Sequence, residues 1–519
     1  MADKRGIIPR KIKGFRDIDP NLNQLKWKII HAASSIYKLY GFEHWDTPIL
    51  EYADNLGKYL PDTDTIEEGV YSFRNPEKEP VLKTDGKELR DEWDKVIMEN
   101  HFLSLRYDLT APLARLYAEK LWLDSQKGVV NSANAPMFRR YQYGPVYRYE
   151  TKLDPGRFRE FWQLDFDSVG TSNVASDAEV CMILSDAMEA IGLKRNTYVV
   201  KVNNRKVLKG FLQSIGIDTE AEEQAILRII DKTDKIGLKG LTEELGAGRK
   251  DVSGAFIAGL KLPNDKIDAI LSFLNEFQHA RKRSEILDRL YNYLSNSPTG
   301  TEGVEELGKI DQILSPLGFD EERIMFEPTL IRGMGYYTGP VFEVESKQTF
   351  IDSKGLERKV GSICGGGRYD GLVERLIGIK VPATGASIGV DRLAELLQLT
   401  NQCQSDFNGP VFIAAFDDTL AMEYQRIAAS LRAQNIEAEI YYGSQKGLKK
   451  QLAYADKRNS PFAVLIGENE ITKGIATVKD LRLGKLQSDI QNRDEWKEKV
   501  QTEVKLDDLV NYLKNNLKK

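Results

Sequence analysis

The chain has 519 residues, 41% hydrophobic and 29% charged, with a formal net charge of −5. That balance is ordinary for a soluble protein of about three domains, and it argues against indiscriminate nucleic-acid binding while leaving room for local basic patches. No apolar run reaches the roughly 18 residues of a membrane helix, and the charged start MADKRGIIPRKIKG has no apolar stretch behind it to make a secretory signal. Three cysteines (Cys181, Cys364, Cys403) and four histidines lie scattered. They offer no disulfide framework, no metal-ligand spacing and little for a Ser-His-Asp triad. The expected compartment is the cytoplasm.

From Leu22 to Tyr40, apolar residues Leu25, Ile29, Ala32, Ala33 and Ile36 recur at three- and four-residue steps, which predicts a helix ended by Gly41. Strands are expected at Phe42–Trp45 and Thr47–Leu50. Leu103–Thr110 alternates like another strand, and Ala111–Lys120 turns helical. The stretch Pro136 to Gly170, PMFRRYQYGPVYRYETKLDPGRFREFWQLDFDSVG, reads as strand, charged loop, strand. Alternation places Arg148 and Glu150 on one face of the first strand, and Gln163, Asp165 and Asp167 on one face of the second. Asp154-Pro155-Gly156 marks the turn, with Arg157 and Arg159 beside it.

So much polarity is more than a sheet core tolerates. Arginine suits phosphate because its planar fork donates paired hydrogen bonds and stays charged. The hairpin is therefore expected to hold a phosphorylated ligand on one side and a small polar group on the other. A solvated hairpin with surface ion pairs is the plain alternative.

A helix at Asp177–Gly192 and a strand at Tyr198–Val202 follow. Amphipathic helical patterns then replace strand alternation from about Asn204 to Leu317, as in a helical module inserted into a mixed domain. Sheet character returns at Ile324, with strands at Pro340–Glu345 and Lys359–Cys364, then a Gly-rich turn and a helix. Beyond a polar linker at 400–408, strands and helices alternate from Val411 to Ile466, which implies a small α/β domain with a largely parallel sheet. The expected domains are 1–203 and 321–400 (two parts of one core), 204–320 and 409–519. Taken alone, Gly365–Gly367 is a tight turn, since it lacks both GxxxxGK spacing and strand–GxGxxG–helix order. Taken alone, Tyr336-Tyr337 is core packing and Glu150 a partner for a nearby arginine.

In order, these segments resemble the class II aminoacyl-tRNA synthetases, and specifically the histidyl-tRNA synthetase family. Lys11-Ile-Lys-Gly-Phe-Arg-Asp17 matches the family's opening. GFEHWDTPILEYADNLG (Gly41 to Gly57) is similar to class motif 1, the hairpin to motif 2, and Gly385-Ala-Ser-Ile-Gly-Val-Asp-Arg392 to motif 3. LIRGMGYYTGPVFEVE (Leu330 to Glu345) and CGGGRYDGL (Cys364 to Leu372) resemble stretches particular to the histidine enzyme. The resemblance implies an α+β catalytic domain on an antiparallel sheet, a helical insertion, and a C-terminal α/β anticodon-binding domain.

It further implies that histidine is joined to ATP, with magnesium carried on the nucleotide, and is then passed to tRNA(His) by a homodimer formed through motif 1. Such a reaction asks the protein to align two anions and stabilise the charge growing between them, a task for fixed cations. On that likeness Arg148 contacts the α-phosphate, Arg332 the histidine carboxylate and α-phosphate, and Arg392 the distal phosphates. Phe161 would stack on adenine, Arg157 or Arg159 would hold distal phosphates or the acceptor end, and Glu150 would position adenine or magnesium. Asp108, Thr110 and Gln163 would bind the α-amino and carboxylate end. Asp167, Tyr337 and Tyr369, with Tyr336 beside them, would meet the imidazole, and Asp165 is left structural. A pocket that hydrogen-bonds both ring nitrogens discriminates strongly without editing. In the last domain, Lys449, Lys450, Lys457, Arg458 and Lys473 are candidates for RNA phosphates.

Two features depart from the family pattern. Gly335 follows Arg332-Gly-Met where many members carry an acid, and the hairpin loop holds Leu153-Asp-Pro-Gly156. Both bear on how the acceptor end is read. Three rival readings remain: a catalytically inactive paralogue serving as a regulatory or tRNA-sensing subunit, a non-enzymatic RNA-binding protein, and a class II synthetase for another amino acid. Retention of Arg148, Arg332 and Arg392 opposes the first. The joint presence of Asp108, Gln163, Asp167 and the tyrosines opposes the second. The RGMGYYTG and GGGRYDG pair opposes the third.

Overall fold

The computed structural model describes residues 8–517 apart from 57–68, 84–85, 92, 151–156, 251–253, 278–279, 332–335, 352–354, 401–408, 445–446 and 487–499. It forms two compact units, residues 1–404 and 405–519.

The first unit is built on one eight-stranded sheet. Its strands are β1 (Glu43–His44), β2 (Phe138–Tyr147), β3 (Glu160–Val169), β4 (Tyr198–Asn204), β5 (Ile324–Phe326), β6 (Pro340–Ile351), β7 (Glu357–Tyr369) and β8 (Ala383–Gly389), in the order β1-β2-β3-β8-β7-β6-β4-β5. The six inner strands pair antiparallel, and the outermost pair at each end is parallel. The two faces differ as the period-2 pattern of β3 predicts. Leu164 and Phe166 enter the main apolar core, whereas Gln163, Asp165 and Asp167 turn to a polar cavity.

Helices cover the apolar face: α1 (Pro20–Leu39), α3 (Ala175–Ile191) and α6 (Val390–Leu399); further helices of this unit include α2 (Thr110–Gln126), α4 (Arg205–Ser214) and α5 (Pro298–Leu314). α1 starts where Asp19 accepts from the Leu22 N–H at 2.9 Å and Pro20 supplies a preset φ. Its buried stripe of Leu25, Ile29, Ala33 and Tyr37 faces the sheet core. The residues between β4 and β5 are mainly helical. Their Val207, Phe211, Ile226, Phe273 and Leu307 share that same core. They also contain a two-stranded ribbon, Gly248–Lys250 with Phe256–Ala258, too short to register as strand alternation.

Three local readings need correction. The expected strand to Thr110 stops at Leu105, because Asp108 Oδ1 accepts from the Thr110 and Ala111 N–H groups at 3.1 and 2.9 Å and starts α2. Gly365–Gly367 is no turn. It lies inside β7, paired with β6 on one side and β8 on the other. A Cβ at Gly366 would sit 2.6 Å from Ala386 Cα, so the glycine allows two strands to meet under the cavity. Arg148 and Glu150 lie just past the end of β2 and not on it. The Asp154-Pro155-Gly156 turn and the polar linker fall outside the described residues.

The second unit has strands β9 (Val411–Ala414), β10 (Ala438–Ile440), β11 (Phe462–Leu465), β12 (Ile475–Asp480) and β13 (Gln501–Lys505) in the order β10-β9-β11-β12-β13. β9 pairs parallel with β10 and β11, and the other two pairings are antiparallel. The sheet is thus mixed, not largely parallel. The difference comes from β12 and β13, which lie beyond the alternation read from the sequence. Among the described residues no helix is long and apolar enough to cross a membrane.

Candidate active site

A cavity of about 420 Å³ opens on the polar face of the large sheet. Its floor is β3, β8 and β7, its wall is the Tyr107–Thr110 segment with Tyr336 and Tyr337, and its far end is Arg148, Glu150, Arg157, Phe158, Phe161 and Arg392. Most of the residues predicted for the site meet here: Asp108, Thr110, Arg148, Glu150, Arg157, Phe161, Gln163, Asp167, Tyr336, Tyr337, Tyr369 and Arg392. Two do not. Arg332 lies outside the described residues. Arg159 does not line the cavity but is buried, with its Nε donating to the Glu150 carbonyl at 3.1 Å and its guanidinium over the Tyr149 ring. Its backbone N–H donates to the Gly14 carbonyl at 2.9 Å, so it joins the loop base to the N-terminal segment.

One end of the cavity is cationic. Arg148 donates from Nε to the Tyr107 carbonyl at 3.1 Å and lies over the rings of Tyr107 and Phe161, 4.3 and 5.2 Å from their centroids. These contacts aim the rest of its planar fork at the cavity. Arg392 enters from the first turn of α6, and a side chain at Gly361 would come within 3.6 Å of its Nη2. Arg157 faces Glu150 at 4.0 Å. Such a cluster suits a polyphosphate anion.

The other end is acidic and buried. Tyr369 donates its O–H to Asp167 Oδ1 at 2.6 Å. Burial, together with the adjacent Asp167 charge, holds the Tyr369 phenol well above its ordinary range. Arg140, directly across the ladder on β2, places Nη2 3.1 Å from Asp167 Oδ2, a charge contact that lacks hydrogen-bond alignment. The same Nη2 donates to the Leu109 carbonyl at 2.7 Å, which ties the Asp108–Thr110 segment to β3. Gln163 donates from Nε2 to Ser387 Oγ at 2.9 Å. Its Oε1 and Asp165 Oδ1 are buried with no hydrogen-bond partner among the described residues. Desolvation pushes Asp165 up to about 7 and raises Asp167 as well, with Arg140 opposing both shifts. Unmet acceptors beside buried carboxyls suit a small ligand with several N–H groups.

Glycines make room at this end. A Cβ at Gly385 would sit 2.7 Å from Asp167 Cγ, and one at Gly367 would sit 2.7 Å from Tyr337 Cδ1. The rings of Tyr336 and Tyr337 meet edge-on at 4.8 Å, and Tyr336 meets Tyr369 at 5.9 Å. Sequence reasoning missed Tyr107, Phe158, Ser387, Asp391 and Arg140, and set Asp165 aside. Arg140 was within reach, since counting the hairpin register places it opposite Asp167.

The pattern of the family described as Histidyl-tRNA synthetase matches residues 77–393, and that of the Anticodon binding domain matches residues 410–516. The chain belongs to the histidyl-tRNA synthetase family. A histidine–tRNA ligase of Paracoccus denitrificans is 43% identical over 96% of this chain and 95% of its own length. One from Ruegeria pomeroyi is 42% identical over 96% and 94%. The crystal structure of histidyl-tRNA synthetase from Nostoc sp. PCC 7120 superposes with a TM-score of 0.69 at 26% identity, covering 98% of this chain and all of that one. A Bacillus halodurans protein described as an ATP phosphoribosyltransferase regulatory subunit/histidyl-tRNA synthetase shares the fold, with a TM-score of 0.61 at 21% identity. The fold class read from the sequence is that of the histidyl-tRNA synthetase family.

Proposed function

We propose that the protein is a histidine–tRNA ligase. It activates histidine with ATP to histidyl-adenylate and pyrophosphate, then transfers histidine to the 3′ end of tRNA(His). The observation that carries this reading is one cavity, in a chain of this family, with arginines at one end and buried carboxyls with tyrosines at the other. ATP occupies the cationic end, with Phe161 against adenine, Arg148 on the α-phosphate, and Arg392 and Arg157 on the distal phosphates. Arg159, buried and bonded to backbone, supports the loop base and does not touch nucleotide. Histidine occupies the acidic end. Asp108, Thr110 and Gln163 take its amino and carboxylate groups, and Asp167, Tyr336, Tyr337 and Tyr369 surround its ring.

A carboxylate oxygen of histidine attacks the α-phosphorus in line, and the bond to pyrophosphate breaks. Arg148, already held by Tyr107, meets the charge that develops there without having to reorganise. Arg332, on the family resemblance, contacts the histidine carboxylate and the α-phosphate. Magnesium arrives with ATP as part of the substrate, and Glu150 is the cavity carboxylate that would face it or the adenine. Among the described residues no cluster of His, Cys, Asp and Glu forms a metal site of its own.

Transfer to tRNA involves the second unit, where Lys449, Lys450, Lys457 and Lys473 are exposed and Arg458 is paired with Glu439 at 3.0 Å. The exposed Ile49 and Leu50 of motif 1 support a homodimer through that segment. The site of action is the cytoplasm. The competing reading, an inactive regulatory paralogue, is opposed by the intact cationic end and by ligase relatives that match nearly the whole chain.

ATP–pyrophosphate exchange with each amino acid in turn tests the reading. Only histidine supports exchange, and Arg148→Ala or Arg332→Ala lowers it by on the order of 10²-fold or more. Exchange driven by another amino acid, or none with histidine, overturns it.

A further inference from the structure

Asp165 has no place in the roles just given, yet the fold puts it in the middle of the histidine end. It lies between Gln163 and Asp167 on the cavity face of β3, roughly 7 Å along the strand from each. It is 2% exposed, and its Oδ1 is a buried acceptor with no partner among the described residues. A structural carboxyl at such a position would have its oxygens met, because an unsatisfied buried acceptor costs stability.

The surrounding charges do not balance. Arg140 is committed to Asp167, directly across the ladder, and to the Leu109 carbonyl. Asp108 spends Oδ1 on the start of α2. Ser387 lies directly across the ladder from Asp165 on β8, Arg106 acts on Asp165 only at a distance, and Tyr37 sits in the apolar core. Among the described residues, three carboxyls face one nearby buried cation, Arg140, while Arg332 is assigned above to the substrate carboxylate, so the substrate side chain meets a surplus of negative charge. Histidine supplies two groups that can offset it: the α-ammonium, for which Asp108 is the partner, and the ring.

We propose that Asp165 is a second specificity-determining acid of this pocket, whose carboxylate pairs with the positive charge of the substrate side chain, so that histidine is bound as its imidazolium. This rests on the histidine–ATP reading above. Ring and carboxyl then hold one proton between them in the complex. Above the pH where both are free of it, binding must take a proton up, and KM for histidine rises roughly tenfold per pH unit.

The test uses the full-length protein in ATP–pyrophosphate exchange between about pH 7 and about pH 8.5, with any titration of the α-ammonium common to both amino acids compared. Two amino acids are compared: histidine and 1,2,4-triazolylalanine, a near-isostere whose ring is not protonated there. For wild type, KM for histidine climbs with pH, and triazolylalanine is used on the order of tenfold less well at the low end. In Asp165→Asn, KM for histidine is flat over that range and the two substrates come within about twofold. The proposal is overturned if the wild-type KM is flat, if wild type uses the triazole as well as histidine, or if Asp165→Asn keeps the wild-type slope. The wild-type slope and the triazole comparison decide the matter even if the variant does not fold. Exchange driven by histidine with no pH slope sinks this proposal alone, whereas no exchange with histidine sinks the function reading beneath it.

Discussion

Arg16 holds Asp391 by a 2.7 Å ion pair that joins the N-terminal segment to the first turn of α6. The same guanidinium pairs with Glu395 at 2.7 Å and stacks 3.6 Å from the centroid of Phe158, while Lys26 and the Trp162 N–H also meet Asp391. Phe158 and Asp391 both line the cationic end of the cavity. The family-like opening KGFRD thus clasps that wall from behind. Gly14, at φ 86°, packs against the Arg159 side chain where a Cβ would not fit.

Arg16 does not line the cavity, so its loss is expected to show as misplacement of the wall. Arg16→Ala is expected to raise KM for ATP by about tenfold and leave KM for histidine within about twofold, with Arg16→Lys intermediate because it keeps the charge but loses the planar stack. Equal changes in both KM values would show that the contact serves only global stability.

Tyr369→Phe removes the one hydroxyl bonded to Asp167 Oδ1 and leaves ring packing in place. Among the described residues the buried carboxylate then keeps Arg140, and its preference for the ionised form weakens. KM for histidine is expected to rise by about five- to thirtyfold with little change in KM for ATP, a loss on the order of 1–2 kcal/mol of ground-state binding. An unchanged histidine KM would remove Asp167 from ring recognition.

The hairpin was legible because alternation and the turn residues agree, and the observed register confirms the shared face of Gln163, Asp165 and Asp167. The family motifs located the cavity because they are local strings. What stayed hidden were relationships across the sheet. Gly365–Gly367 looks like a turn in one dimension, and only β8 crossing over it explains three glycines in a strand. Asp108 looks like a strand residue until α2 is seen to start on its side chain. Arg159 resembles Arg157 in sequence, but one packs into the loop base while the other faces the cavity, and no periodicity separates them.

Gly385→Ala probes the close passage of β8 over β3. The added methyl would fall 2.7 Å from Asp167 Cγ, in a pair where backbone leaves no room to yield. The substitution is expected to cost about 1–3 kcal/mol of stability and to raise KM for histidine at least tenfold, because the displaced group is Asp167 itself. Thermal melting with matched exchange assays checks both, and normal histidine binding would show that Asp167 has slack.

Asp165→Asn should stabilise the ligand-free protein while impairing its selectivity. The carboxyl has an ordinary value of 3.8 and is pushed up to about 7 by burial in the fold. A folded-state value above the unfolded one means that the native protein binds the proton more tightly. The group's favourable contribution is therefore complete below about pH 4 and is lost as pH rises through about 7. At about pH 8 the wild type carries the whole cost of a buried, partly compensated carboxylate, and the amide carries none of it. Asp165→Asn should then melt higher, with a gain on the order of 1–3 kcal/mol that shrinks steadily towards about pH 4. A gain that does not depend on pH would point to packing, and a loss would show that the charge is already paired without substrate. A stabilising change at a cavity residue is what a binding site held under electrostatic strain for its ligand predicts.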